Sequence, residues 1–386
     1  MPCAPRSILI SAGEASGDFY AALLVAELRR RWPHAQFFGC AGANLREAGI
    51  RNVIDAESLA VVGLVEVVGH LPRIYWQYRK LLAAIRAERP ELAILTDSPD
   101  FHLRVARKLK NWGIPVVYLV APQVWAWRKG RLPVMRRVIT RLLCIFPFEE
   151  RFFRQNQVAA TFIGHPLSNR VRPSLTKAEF FRKHDLPEHR PLIAVLPGSR
   201  RGEAARHLPE LCAAAALLGE TASFVLPASA TTGAKFFRDR MGSSAIHVIE
   251  GEAWDALAHA DIALAASGTV TIEAALLGTP MIVFYKVNKL SWVLGKLLVR
   301  IPFYSMVNLI AEREVVPELM QQFMTGPNLA DAASGLLHDA ARRAKMKTDL
   351  REVAGKLWAH GDAIQRAADE VVKVAEQAAL REAEVV

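Results

Sequence analysis

The stretch Ala260–Tyr285, ADIALAASGTVTIEAALLGTPMIVFY, decides the fold class. Its first apolar run, Ile262–Ala265, is short and continuous and reads as a buried strand. Ser267-Gly268-Thr269 follows as a turn of small residues. A helix then runs to Leu277, Gly278 suits its C-cap, and Pro280 stops it before Met281–Tyr285 opens another strand. Strand, turn, helix and strand in so short a span form the repeating unit of a parallel sheet covered by helices.

The same alternation extends in both directions. Leu192–Leu196, Ser223–Leu226 and Ile246–Ile249 precede it as strands. Earlier still come Ile8–Ser11, Gln36–Cys40, Leu92–Thr96, Val116–Val120 and Cys144–Phe146. Between the first two, Phe19–Arg31 keeps Leu23, Leu24 and Leu28 at helical spacing until Pro33 ends the run. The pattern loosens around Gly164-His165-Pro166. The chain is therefore expected to hold two Rossmann-like, doubly wound α/β domains, at residues 1–165 and 191–328. A connector with a small helix (166–190) joins them, and a helical tail (329–386) follows. Such sheets bind ligands outside the carboxyl ends of their strands, and paired domains are expected to face a cleft.

Bulk properties narrow the function classes. The 386 residues are 52% hydrophobic and 23% charged, a globular balance. Charges or prolines interrupt every apolar run short of the roughly eighteen residues a spanning helix needs. The apolar part of MPCAPRSILISAGE is too short for a signal peptide, so an intracellular protein is expected. Cys3, Cys40, Cys144 and Cys212 are scattered and read as buried free thiols, with neither a disulfide framework nor a zinc site. The net charge of +11 favours anionic partners: nucleic acid, lipid surfaces or phosphorylated substrates. No aromatic-interleaved basic strip accompanies it, so a nucleic-acid partner is not expected.

In the second domain, small residues at Ser267, Gly268 and Thr269 leave backbone N–H groups at a helix start, where the helix dipole favours an anion. Glu273 lies one turn further on, suited to accept hydrogen bonds from ribose hydroxyls. The plainer reading makes Ser267 an N-cap and Glu273 a solvated helix residue. IAVLPGSRRGEAARHLPEL (Ile193–Leu211) delivers Gly198, Ser199 and Arg200 to the same sheet edge. Gly198 permits close backbone approach, Ser199 can cap, and Arg200 offers a fork of donors to a diphosphate. The stretch GEAWDAL, with Glu252, follows a strand and is a weaker signal for base contact. This layout resembles the nucleotide-sugar half of GT-B glycosyltransferases.

In the first domain, LAILTDSPDF ends a buried strand with Asp97, placed as a general base, while Asp100 or Ser98 caps the next helix. PQVWAWR places Gln123 and Trp125 at another strand end. SAGEASGD (Ser11–Asp18) has neither Rossmann glycine spacing nor a P-loop lysine. Its glycines let the chain turn tightly, Ser16 and Asp18 suit caps of the following helix, and Glu14 and Ser16 are placed to touch an acceptor.

SAGEASGD, LAVVGLVEVVGHL, TDSPDF, PQVWAWR, FPFEE, IGHP, LPGSR, the 260–285 stretch and Val307–Gln321 stand in one order over nearly the whole chain. Together they resemble the lipid-A-disaccharide synthase family. The resemblance implies an inverting GT-B glycosyltransferase joining UDP-2,3-diacylglucosamine to 2,3-diacylglucosamine 1-phosphate (lipid X), with a β-1',6 disaccharide 1-phosphate and UDP as products. It further implies no metal or cofactor, peripheral attachment to the cytoplasmic face of the inner membrane, and a homodimer exchanging C-terminal segments. The positions of Asp97, Arg200 and Asn308 match residues essential or important for activity. Val307 stands where the family usually has proline, which predicts a less rigid loop before Asn308. For acyl chains and anionic headgroups, Leu59–Leu82 offers Val65, Val67, Val68, Leu71, Ile74 and Tyr75 beside Arg79 and Lys80. The alternative for that stretch is an ordinary buried helix with a basic outer face. Rival functions are another UDP-sugar transferase of this architecture, a UDP-sugar epimerase and a non-catalytic nucleotide-sugar sensor.

Overall fold

A computed structural model describes residues 4–59, 67–288 and 301–383, with residues 292, 295, 296 and 299 between the last two segments. The chain divides into two compact units, Met1–Pro166 with Leu357–Val386, and Leu167–Lys356.

The first unit carries strands β1 (Ser7–Ala12), β2 (Gln36–Ala41), β3 (Arg51–Asp55), β4 (Leu92–Thr96), β5 (Val116–Leu119), β6 (Arg141–Cys144) and β7 (Ala160–Phe162). Its helices are α1 (Ala15–Arg31), α2 (Ala43–Glu47), α3 (Val67–Glu88), α4 (Pro99–Asn111), α5 (Leu132–Val138) and α6 (Pro147–Gln155). The second carries α7 (Lys177–Lys183), β8 (Leu192–Leu196), α8 (Arg201–Leu218), β9 (Ser223–Ala228), α9 (Ala234–Met241), β10 (Ile246–Glu250), α10 (Ala253–His259) and β11 (Ile262–Ala266). It continues through α11 (Thr269–Leu277), β12 (Met281–Tyr285), α12 (Met306–Ala311), β13 (Glu318–Met320), α13 (Gly326–His338) and α14 (Ala340–Lys356). Helix α15 (Ala363–Ala383) returns to the first unit.

Both sheets are parallel, seven strands in the order β3-β2-β1-β4-β5-β6-β7 and six in the order β10-β9-β8-β11-β12-β13. The order reverses between β1 and β4 in one and between β8 and β11 in the other. These reversals are the switch points outside which doubly wound sheets bind ligands. The 260–285 stretch folds as its residues dictate: β11 is fully buried, and Gly278 closes α11 in the left-handed conformation at φ +71°.

Three departures have physical reasons. Strand β6 ends at Cys144, so Ile145 and Phe146 lie beyond it; Phe146 is the N-cap of α6. The segment before β8 belongs to the second unit, because the buried Asp255 accepts from Ser174 N (2.8 Å), Ser174 Oγ (2.9 Å) and Leu175 N (2.7 Å). The helical tail divides, because α15 buries Ala367, Ala368, Val371 and Val374 and lies against α1, β5 and β6. Cys40 and Cys144 are buried and Cys212 half-buried, all as free thiols, while Cys3 lies outside the described residues.

Candidate active site

At the first switch point the carboxyl end of β4 delivers Asp97. Its carboxylate accepts from Gly13 N at 2.7 Å and Glu14 N at 3.1 Å, both in the turn after β1. Two glycines make room for it. A Cβ on Gly13 would stand 2.3 Å from Ser98 Oγ, and one on Gly17 would stand 1.8 Å from Asp97 Oδ2. Burial, with the neighbouring Glu14 carboxylate, pushes the Asp97 pKa well above the ordinary aspartate value; hydrogen bonds from Gly13, Glu14 and Ser98 pull the other way.

Other residues of this unit take roles different from those expected. Helix α1 begins at Ala15 with no side-chain cap, and Ser16 is exposed. Asp18 instead caps α2, accepting from Gly42 N (2.6 Å), Asn44 N (2.8 Å) and Asn44 Nδ2 (3.0 Å). Asp100 caps nothing: α4 starts from Ser98 without a side-chain cap, and Asp100 pairs with Arg128 (2.7 Å) and Arg131 (2.6 Å). Glu14 and Gln123 are exposed. Trp125 donates its Nε1–H to Glu149 (3.1 Å) and packs edge-on against Phe148. Sequence reasoning assigned no role to that glutamate. It is buried, its pKa is pushed up to about 8 by desolvation, and it also accepts from Phe146 N at 3.2 Å. The signal was its place as the third residue of α6, from which a carboxylate can reach back to the N-cap amide.

At the second switch point β8 ends in Pro197-Gly198-Ser199-Arg200 and β11 in Ser267-Gly268-Thr269. Gly198 has φ +110° and lies so close to Glu203 that a Cβ would meet its carboxyl carbon at 2.6 Å. Ser199 and Arg200 are exposed; Arg200, not Ser199, is the N-cap residue of α8. Glu203 accepts from Tyr285, whose hydroxyl pKa is pushed up to about 12 by burial and by Glu203 itself, with Arg200 opposing. Gly268 is the N-cap residue of α11, exposed, and has nothing within 4 Å of its Cβ direction. Ser267 donates to the Tyr304 carbonyl at 2.8 Å rather than capping. Glu273 is half-buried with a hydrogen bond from Trp254, and burial raises its pKa. Glu252 holds α7 in place through Lys183 (2.5 Å) and His184 (2.9 Å). Burial works to raise its pKa, and these two partners outweigh it, leaving the carboxyl below its ordinary value.

Asn308 differs most from expectation. It is fully buried, and its amide is saturated inside the unit. Nδ2 donates to Val316 O and Glu318 Oε1 (2.8 Å each), and Oδ1 accepts from Val315 N (2.7 Å) and Val316 N (3.0 Å). Glu318 in turn accepts from Tyr304 N (2.9 Å) and Ser305 N (2.8 Å). One hydrogen-bonded route links Asn308 to the α11 start, through Glu318, Tyr304 and Ser267. Val307 lies not in a loop but fully buried in α12, whose N-cap Ser305 accepts from Asn308 N at 3.1 Å.

Of the apolar patch, Val65 lies outside the described residues, as do the side chains of Val67, Val68 and Leu71. Ile74 packs on the core of the first unit, whereas Tyr75 and Trp76 are 57% and 73% exposed. Among the described residues no helix is long and apolar enough to cross a membrane. No group of three or more His, Cys, Asp or Glu among them is placed to hold a metal ion.

Two doubly wound units, each with candidate functional groups at its switch point, make this an α/β protein of the GT-B glycosyltransferase class. A solved structure, the glycotransferase of kitacinnamycin, shares that fold at TM-score 0.64 and 16% identity, covering 96% of this chain and 99% of its own. A family model described as Lipid-A-disaccharide synthetase matches residues 8–372. Lipid-A-disaccharide synthase of Solibacter usitatus is 63% identical over 96% of this chain and 97% of its own. That of Koribacter versatilis is 41% identical over 96% and 99%. The chain belongs to the lipid-A-disaccharide synthetase family and is a glycosyltransferase of lipid A disaccharide synthesis.

Proposed function

We propose that the chain transfers 2,3-diacylglucosamine from UDP to the 6-hydroxyl of 2,3-diacylglucosamine 1-phosphate, with Asp97 as general base. The observation that carries this reading is the Asp97 carboxylate at the β4 end, held by the Gly13 and Glu14 amides with a raised pKa. A base so tuned takes a hydroxyl proton more effectively than an ordinary aspartate. As the proton moves to Asp97, the acceptor oxygen attacks the anomeric carbon and the bond to UDP breaks.

The leaving diphosphate gains negative charge. The exposed Arg200 and the open N-terminus of α11 at Gly268 and Thr269 supply donors where that charge grows. Glu273 is assigned to the ribose, and the backbone at Gly251–Glu252 to the base. Glu14, Ser16 and Gln123 are exposed near strand ends of the first unit and are assigned to the acceptor, with Trp125 as their support. Asn308 is a positioning residue acting through Glu318.

Peripheral attachment to the cytoplasmic face of the inner membrane is supported by the exposed Tyr75 and Trp76 beside the exposed Arg73, Arg79 and Lys80 of α3. A homodimer is the assembly the family resemblance favours, and light scattering of the purified protein tests it. The test of the reaction is incubation with lipid X and UDP-diacylglucosamine. Stoichiometric UDP and a β-1',6 product are expected; turnover of a different acceptor alone would overturn the assignment.

A further inference from the structure

Asp97 and Ser98 stand side by side in the left-handed backbone region, at φ +51° and +36°. Residues with a Cβ rarely adopt it, and two in succession require something to hold them there. The Asp97 carbonyl shows what does. It accepts from the Tyr118 hydroxyl of β5 and stands 2.9 Å from His102 Nδ1 of α4. A carbonyl can only accept, so Nδ1 carries the ring proton. Nε2 then accepts from the Ser11 hydroxyl, 2.7 Å away at the end of β1. Ser11, His102 and Tyr118 are each fully buried, so none of them touches substrate. Burial also lowers the His102 pKa to about 4, which keeps the ring neutral near pH 7 and preserves this donor pattern.

We infer that Tyr118 and His102 are positioning residues for catalysis: by clamping the Asp97 carbonyl they keep the left-handed turn closed and its carboxylate on the Gly13 and Glu14 amides. The inference rests on Asp97 being the general base. Two elements that meet only in the folded unit, α4 and β5, thus converge on one main-chain oxygen, and β1 steadies the α4 ring through Ser11. Losing one donor leaves the fold intact and lets the carboxylate drift from its productive direction, which lowers kcat without weakening substrate binding.

A double-mutant cycle tests this. Tyr118→Phe keeps the buried ring and removes only the donor. It is expected to lower kcat about tenfold with both KM values within about twofold. In an Asp97→Asn background the same change should cost less than about twofold, because the group it positions is gone. Ser11→Ala, which loosens the ring rather than the carbonyl, should follow the same pattern at about threefold, and it serves the cycle should Tyr118→Phe not fold. An equal loss in both backgrounds marks a merely structural role and overturns the inference. So does wild-type kcat in Tyr118→Phe while Asp97→Asn is impaired. Near-normal turnover in Asp97→Asn removes the general-base reading itself, and the inference falls with it.

Discussion

The two switch points share a topology and differ in sign. After β1 the turn offers two amide N–H groups, and both are taken by the Asp97 carboxylate from β4. After β8 the corresponding turn presents Arg200, and the loop after β11 leaves the helix start at Gly268 open. Beneath each turn sits a buried histidine whose Nδ1 reaches a loop carbonyl: His102 to Asp97 O at 2.9 Å, His207 to Pro197 O at 2.8 Å. Burial lowers the pKa of both rings. In the proposed mechanism one scaffold serves as proton acceptor in one unit and as anion holder in the other. The group delivered by the central strand pair, not the fold, sets the chemistry.

This contrast can be broken at each side separately. Asp97→Asn should lower kcat by about 10²–10⁴-fold and leave UDP affinity by calorimetry unchanged. A matching loss of UDP binding would erase the division of labour. Arg200→Gln removes a charge-assisted donor, and kcat/KM for the UDP-sugar should fall about 10- to 100-fold with weaker UDP binding. Unaltered UDP affinity would remove Arg200 from the phosphates. A milder effect reads on pH. Only ionised Asp97 accepts a proton, and its raised pKa brings protonation nearer neutrality. The rate should therefore decline as pH falls, at a pH above that expected of an ordinary aspartate, approaching about tenfold per unit. An acid limb at the ordinary aspartate value would contradict the buried base. The smallest effect lies outside both switch points: Trp76→Glu should reduce partitioning onto anionic liposomes a few-fold while leaving thermal stability unchanged. Unchanged partitioning would exclude α3 from the membrane surface.

Asp97 was legible because a carboxylate at the end of a buried strand has few plain explanations. SAGEASGD reads as a frame from what it lacks, the glycine spacing and lysine of a phosphate loop. Its glycines prove necessary for a reason no local reading contains: the space a Cβ would occupy at Gly17 already holds Asp97 Oδ2, from a strand far along the chain. The partners of Asn308, Glu252 and Asp18 were hidden for one reason. Each is a polar residue in a functional-looking motif whose partners, Val315 to Glu318, Lys183 with His184, and the start of α2, could not be chosen before the chain had folded.

The sequence by itself determined the strand and helix alternation, the two doubly wound units, the strand-end placement of Asp97 and Arg200, and the family. Those depend on periodicity, turn chemistry and motif order, all properties of neighbours along the chain. Tertiary structure alone decided which polar groups are consumed internally and which remain at a surface. It also assigned α15 to the first unit and placed Tyr118 and His102 on one carbonyl, with Ser11 behind the His102 ring. Hydrogen-bond satisfaction in a buried interior is settled between elements distant in sequence, and only packing brings those elements together.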